Sequence, residues 1–265
     1  MIAGLLSAGV GLRPVAAWCE DAALGPGRPD AIADFGPRMG QGLSAAVFGG
    51  FRALVADGLW LKTYRAWSAG DLPATQTLIR LVTVVDDRPV FFWLNGARML
   101  AYDMTQWRLA PTGVAGPPPA AVRRRIAEEQ AALALRYLED ARRRHPGNAA
   151  LCVEMAHIHL NLRADVAAAA HWYRQAAELP DAPRYAARIH AQLLRRLGRP
   201  REAYVWLCRL HATLPAGDPE AMPDVVLKRI RDLEETLAIP AAERYAAPAV
   251  AARAANDRLT CEPRR

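Results

Sequence analysis

The chain has 265 residues, of which 52% are hydrophobic, and this is enough apolar material to bury a core. The formal net charge of +7 comes almost entirely from arginine, because Lys62 and Lys228 are the only lysines. The arginine runs at 123–125 and 142–144 are interleaved with acidic residues, as on a solvated helix face, so the charge does not favour a nucleic-acid partner. The four cysteines lie far apart without a C-x-x-C pair, which argues against a zinc site or a disulfide framework.

Residues 1–43 are predicted to stand apart from the rest of the chain. The run "MIAGLLSAGVGL" is apolar, but it is shorter than the roughly 20 residues that a helix needs to cross a bilayer. It lacks the basic start of a signal peptide, although Val15-x-Ala17 has the form of a cleavage site. Three interpretations of this segment stay open: a truncated membrane anchor, a signal peptide, or neither. Membrane association through this segment is favoured over a cytoplasmic location. The Gly- and Pro-rich stretch from Glu20 to about Gly42 predicts a tether.

From Ser44 onward the pattern predicts one helix after another, because alanine dominates while valine and isoleucine are sparse. The first helix is apolar on most sides and is predicted to end at Gly70. Asp71 is predicted to cap the second helix, with Pro73 in its first turn. That helix ends before "DDRP".

The remaining elements are predicted from apolar periodicity and from Gly and Pro punctuation. "VFFWLNGARMLAYDM" forms the third helix, and a Pro- and Gly-rich inserted loop is assigned to 103–119. A charged helix follows from Ala120 to His145. Two hairpins of helices come next, one from Ala149 to Pro180 that turns near Arg163 and Ala164, and one from Arg184 to Pro215 that turns at Gly198-Arg-Pro200. A helix from Asp218 to about Leu237 precedes a polar tail.

The two hairpins repeat their residue spacing at an offset of 34. The matched positions are Ala169 with Ala203, Tyr173 with Leu207, and Ala176 with Leu210. Two helices approach closely only where side chains are small, so we expect Ala156 to lie against Ala169 in the first hairpin. Ala191 and Ala203 are expected to do the same in the second.

This spacing resembles the tetratricopeptide repeat (TPR), a pair of helices stacked into arrays. Upstream, the same signature recurs at Trp93, Gly96, Ala97 and Leu100 for a first helix, and at Ala134, Leu138, Ala141 and Pro146 for a second. The resemblance implies an all-α protein, an α-solenoid of stacked helix-turn-helix repeats over 44–217, followed by a capping helix and polar tail over 218–265. "GGFRALVADGLWLK" also resembles uncharacterised bacterial membrane-anchored repeat proteins.

The resemblance further implies a concave face, lined by the first helix of each repeat, that binds an extended peptide or a helix of another protein. The implied groove positions are Phe91, Leu94, Arg98 and Tyr102, then Val153, His157, Leu160 and Asn161, then Tyr185, Arg188, Gln192, Arg195 and Arg196. The arginines predict a cationic groove without an internal partner, and therefore an acidic partner segment. The lysine and asparagine clamp of the family is not reproduced, which argues against a chaperone-tail partner.

The sequence contains no complete catalytic or metal-ligating constellation. Glu154-x-x-His157 has the spacing of half a di-iron site, but no second such pair exists. Cys208 and His211 are better explained by packing within a helix than as a nucleophile and its base. The prediction is a non-enzymatic scaffold that binds a protein or peptide and holds no metal or cofactor. Two alternatives remain. One is an enzyme or small-ligand-binding protein with a pocket formed by the inserted loop. The other is the soluble part of a membrane-anchored assembly factor.

Overall fold

The computed structural model describes residues 50–110, 118–215 and 221–248. All regular elements in these ranges are helical, as the composition predicts. The chain divides into two compact units, Met1–Arg144 and His145–Arg265, and each is described by itself. The predictions for residues 1–43, and for the start of the first helix at Ser44, lie outside the described residues.

The described helices of the first unit are α1 (Arg52–Ser68), α2 (Leu72–Val85), α3 (Val90–Arg98), α4 (Met104–Leu109) and α5 (Ala120–Arg144). Gly70 follows α1 with a φ of +72°, a conformation that glycine adopts without strain. Its N–H donates to the Trp67 carbonyl at 3.0 Å. The Asp71 carboxylate accepts the N–H of Ala74 at 3.1 Å and caps α2. The predicted boundary between these helices is therefore confirmed.

The helical region after α3 is longer than predicted. A π-helical segment, Met99–Asp103, joins α3 to α4, so the chain remains helical as far as Leu109. The expectation that an inserted loop begins at position 103 is wrong, because Met99, Leu100, Ala101 and Met104 continue the buried face of the helix. Residues 111–117 lie outside the described part. Asp103 accepts a hydrogen bond from Trp67 Nε1 at 2.7 Å and so ties this segment to α1.

Gly96 marks a close helix approach in the core of the first unit. A Cβ at this position would lie 2.8 Å from Ile79 Cγ2 on α2 and 2.9 Å from the Tyr137 hydroxyl oxygen on α5. That hydroxyl lies 3.4 Å from the Ile79 carbonyl oxygen. Three helices therefore meet at a point where only a glycine fits without displacing a neighbour. Ala134, Leu138 and Ala141 on α5, which carry the predicted second-helix signature, are fully buried.

The described helices of the second unit are α6 (Ala149–Asn161), α7 (Val166–Ala177), α8 (Tyr185–Arg196), α9 (Pro200–Thr213) and α10 (Pro223–Thr236), with a 3₁₀ turn at Ala241–Glu243. The first two pairs are the predicted hairpins. Their turns contain Ala164 with a φ of +53° and Gly198 with a φ of +72°. Asn148 caps α6 and Asp165 caps α7, since each side chain accepts a hydrogen bond from its helix's first turn.

Small residues lie buried in both hairpins, as the repeat spacing predicts. Ala156 and Ala169 are inaccessible to solvent and lie in one apolar cluster with Tyr173. Ala191 and Ala203 are buried in a second cluster. The expected start of the last helix at Asp218 lies outside the described residues, and the described helix α10 begins at Pro223. Proline at the first helical position suits this start, since no N–H is needed there.

The segment after α10, where the sequence predicts a polar tail, packs against the unit in its first residues. The backbone N–H of Tyr245 donates to Glu234 Oε1 at 2.8 Å. The Tyr245 hydroxyl lies 3.1 Å from Nδ1 of His211, and the two rings meet edge to face with centroids 5.5 Å apart. Glu234 is inaccessible to solvent and also binds Arg231. These contacts fix residues 241–245 to α9 and α10.

Candidate partner-binding site

A cavity of about 430 Å³ in the second unit is bordered by α8, α9 and α10. Gln192 and Arg195 of α8 line it, together with Arg229 of α10. Ala191 and Leu207 supply its apolar wall, and each is only 1% exposed. The cavity, called here the α8–α10 cavity, therefore combines two guanidinium groups and an amide with a buried apolar surface.

The amphipathic pattern of α8 explains why its polar residues reach this cavity. Ala187 and Leu194 are buried on the helix side that packs into the core. Gln192, Arg195 and Arg196 are exposed on the other side. Because helical residues three, four and seven apart share a face, burying the alanine and leucine positions directs these side chains toward solvent.

The positive charge of this face is not neutralised by its nearest acidic residue. Glu202 is the only acidic residue between Arg184 and Arg209 in the sequence. It forms two hydrogen bonds with the Arg199 guanidinium, and these lower the pKa of the Glu202 carboxyl below its usual value. Arg195 and Arg196 are exposed and form no ion pair with any residue that the structure describes.

The expectation that Arg188 has no internal partner is wrong. Arg188 is half-buried, and its Nη1 donates to the Ala221 carbonyl at 3.3 Å. It therefore helps to hold the residues before α10 against α8. A backbone carbonyl can accept this bond whatever its side chain, so the sequence carried no signal for it.

Comparison with family models, with curated proteins and with solved structures gave no match for this chain. The likeness to the TPR family thus depends on the chain's own residues. The matched alanines are buried at the predicted positions of the two hairpins.

The predicted groove positions on α6 are less accessible than those on α8. Val153 is only 5% exposed and packs in the apolar cluster with Tyr173, so its assignment to an open groove is wrong. Leu160 is half-buried against the same cluster. The His157 ring packs against Tyr173 with centroids 5.9 Å apart, while Asn161 is exposed at the end of the helix. These positions are less accessible than those on α8 because α6 packs closely against α7.

The other predicted positions divide between the two units. Tyr185 is 40% exposed at the start of α8. In the first unit, Phe91 is 56% exposed, and its ring meets Trp60 of α1 edge to face with centroids 5.7 Å apart. Arg98 is exposed, whereas Leu94 and Tyr102 are half-buried. Within the second unit, the structure brings Gln192 and Arg195 together at one cavity.

The groups considered for catalysis and metal binding are engaged in packing. Burial raises the pKa of the Cys208 thiol, which disfavours the reactive thiolate. His211 is fully buried, with Nδ1 facing the Tyr245 hydroxyl. The described residues contain no group of three or more His, Cys, Asp or Glu side chains placed to hold a metal ion. Within the same residues, the structure has no helix with the length and apolar character required to cross a membrane.

Arg229 is the site residue that sequence reasoning missed. The repeat spacing is assigned only as far as Pro215, which predicts α10 as a cap. Yet Arg229 follows Arg195 by 34 residues, the same offset that relates the two hairpins. Extending the repeat by one further helix would have identified it.

Proposed function

We propose that this protein is a non-enzymatic interaction scaffold that binds an acidic segment of a partner protein at the α8–α10 cavity. The observation that carries the proposal is the meeting of Arg195 and Arg229, one repeat offset apart, on a cavity with an apolar wall. In a TPR-like solenoid these two helices would occupy equivalent positions in successive repeats. The solenoid arrangement is part of the proposal.

The chemistry of the cavity favours a carboxylate-bearing segment with apolar side chains. A guanidinium group presents a planar fork of N–H donors that matches a carboxylate in two parallel hydrogen bonds. Gln192 offers a further donor and acceptor. The buried wall formed by Ala191 and Leu207 suits an apolar side chain next to the acidic one. A segment in which acidic and apolar residues alternate would satisfy both surfaces.

The test uses the full chain and a fluorescein-labelled peptide in which Glu and Leu alternate. Fluorescence anisotropy should show binding that weakens as salt rises, because exposed charge attraction is screened. A peptide in which Lys and Leu alternate serves as the probe control and should not bind. A double variant that carries both Arg195→Glu and Arg229→Glu should bind the acidic peptide about tenfold or more less tightly, equivalent to ~1.4 kcal/mol or more.

The matched protein control is a double variant with Arg201→Glu and Arg209→Glu, which makes the same change in net charge at exposed positions of α9. This control should retain binding at the same salt concentration. Equal losses in both double variants would show nonspecific charge attraction and would contradict the site. Arg188→Glu is a poor choice of variant, because Arg188 also donates to the Ala221 carbonyl.

A further inference from the structure

A second cleft, of about 880 Å³, lies in the first unit and is lined by residues of α2, α3 and α5. Its cationic residues are Arg80 of α2 and Arg136, Arg143 and Arg144 of α5, and its aromatic residues are Trp93 and Tyr137. Asp140 is the one acidic residue in the lining that the structure describes. This cleft, called here the arginine cleft, is separate from the α8–α10 cavity and contains no residue of the predicted 103–119 loop.

The arginines of α5 converge because of their helical spacing. Arg136, Asp140 and Arg144 follow one another at intervals of four residues and therefore share one face of the helix. From position 136 to position 144 the helix rises about 12 Å. Arg80 faces the same cleft from α2. Guanidinium groups thus border a space only a few helical turns long from two sides.

Internal ion pairs engage only part of this positive charge. Arg143 pairs with Asp140, and Arg144 pairs with Asp87. Arg80 and Arg136 are exposed and form no ion pair with any residue in the described ranges. The cleft therefore keeps a net positive charge, with two guanidinium groups whose donors form no ion pair with the described part of the chain.

The aromatic residues give the cleft an apolar wall whose polar atoms are already engaged. The rings of Trp93 and Tyr137 pack with centroids 4.7 Å apart. Trp93 Nε1 donates to the Asp87 carbonyl at 2.8 Å, and the Tyr137 hydroxyl lies against the Ile79 carbonyl. Val84 adds an exposed apolar side chain. Hydrogen bonds to a ligand would thus come mainly from the arginines.

We propose that the arginine cleft binds a small polyvalent oxyanion, a molecule that carries two or more phosphate or carboxylate groups. Oxyanions of both kinds accept paired hydrogen bonds from guanidinium groups. A compact ligand with several charges can contact Arg80 and Arg136 together, whereas a singly charged one engages fewer donors. The limited length of the arginine row favours a small molecule over an extended acidic chain.

The experiment is isothermal titration calorimetry on the full chain at low salt, with inorganic pyrophosphate and citrate as separate probes. Binding of pyrophosphate, citrate or both supports the proposal, and their relative affinities distinguish a phosphate from a carboxylate preference. A double variant with Arg80→Ala and Arg136→Ala should bind the probe about tenfold or more less tightly. The matched control is a double variant with Arg124→Ala and Arg201→Ala, which removes the same charge from exposed positions outside the cleft. Its affinity for the probe should change by less than about twofold.

A second variant, Val84→Glu, places a carboxylate in the cleft at a side chain that is already 57% exposed. It should abolish probe binding while leaving helicity, measured by circular dichroism, unchanged. The proposal is overturned if neither probe binds the wild-type chain, or if the control variant loses as much affinity as the cleft variant. It is also overturned if only the alternating Glu and Leu peptide binds this cleft. Since these variants leave Arg195 and Arg229 intact, a failure here does not bear on the α8–α10 cavity.

Discussion

Replacing Glu234 tests whether the buried carboxylate holds the end of the chain in place. Glu234 is inaccessible to solvent, and it accepts hydrogen bonds from Arg231 Nη1 at 2.8 Å and from the backbone N–H of Tyr245 at 2.8 Å. The Tyr204 hydroxyl adds a longer contact at 3.4 Å. Burial raises the pKa of Tyr204 to about 12, so this phenol stays protonated as a donor at neutral pH.

The expected loss for Glu234→Gln is about 2 kcal/mol in the free energy of unfolding at pH 7. A charged acceptor makes a hydrogen bond roughly twice as strong as a neutral one, which gives about 1 kcal/mol for each of the two short bonds. Arg231 is 43% exposed, so solvent screening keeps the estimate near the low end of the range. Glu234→Ala should cost more, about 4 kcal/mol, because it also leaves the Tyr245 N–H without its acceptor.

The assay is urea unfolding followed by circular dichroism, with Glu235→Gln as the matched control. Glu235 is the next residue on α10 and is exposed, so its change should stay within about 0.5 kcal/mol. Equal losses for Glu234→Gln and Glu235→Gln would refute the reasoning, because they would mean that the buried contacts contribute nothing beyond net charge.

The pH dependence of this difference has a definite sign. Burial alone would raise the pKa of Glu234, but hydrogen bonds from Arg231 and from the Tyr245 N–H outweigh it, so the pKa lies below its ordinary value of 4.5. A depressed carboxyl pKa adds stability above the unfolded-state value and loses it as pH falls through the folded-state value. The difference between wild type and Glu234→Gln should therefore be complete at pH 7 and shrink below pH 4.5. A difference that grew toward acidic pH would contradict this assignment.

Two further predictions concern helix packing, each checked by thermal or urea unfolding against a control in the same chain. Ala203→Arg should destabilise the second unit by about 3 kcal/mol or more, because a charged side chain would enter a fully buried helix contact, whereas Ala212→Arg on the exposed face of α9 should change little. Gly96→Ala should destabilise the first unit by about 1–2 kcal/mol because its Cβ overlaps Ile79 and a buried hydroxyl, while Gly58→Ala, with open space around it, should stabilise by up to about 1 kcal/mol. Either prediction is wrong if the buried and exposed substitutions behave alike.

The helices and their boundaries were largely predictable because their signals are local. Asp71 precedes its helix as a capping residue, and Gly198 supplies the positive φ that ends α8. The burial of Ala169 and Ala203 followed from spacing alone, since helices cross closely only at small residues. These features depend on residues within one or two helical turns of each other, or on a regular repeat.

The parts of the fold and of the candidate sites that could not be predicted depend on isolated long-range contacts. Glu234 binds the N–H of Tyr245, and Arg188 binds the carbonyl of Ala221, yet backbone atoms are the same at every position. The arginine cleft depends on Arg80 and Arg136, which are 56 positions apart in the chain and lie on two different helices. Their separate positions on two amphipathic helices predict exposure but not proximity. Arg229 is the exception, because its repeat offset was visible in the sequence.

The π-helical segment between α3 and α4 affects how this chain can be aligned with helical sequences. The N–H of Met104 donates to the carbonyl of Met99, five residues earlier, where an α-helix would use a carbonyl four residues earlier. The segment thus accommodates one additional residue inside a continuous helix, and each residue turns an α-helix by about 100°. Side chains after it are therefore turned by about that angle from where an uninterrupted α-helix would place them. An alignment that places all length differences in loops would therefore turn α4 by about 100°, and its buried Thr105 would be matched with a solvent position. A gap placed within the helix itself, at 99–103, restores the correspondence.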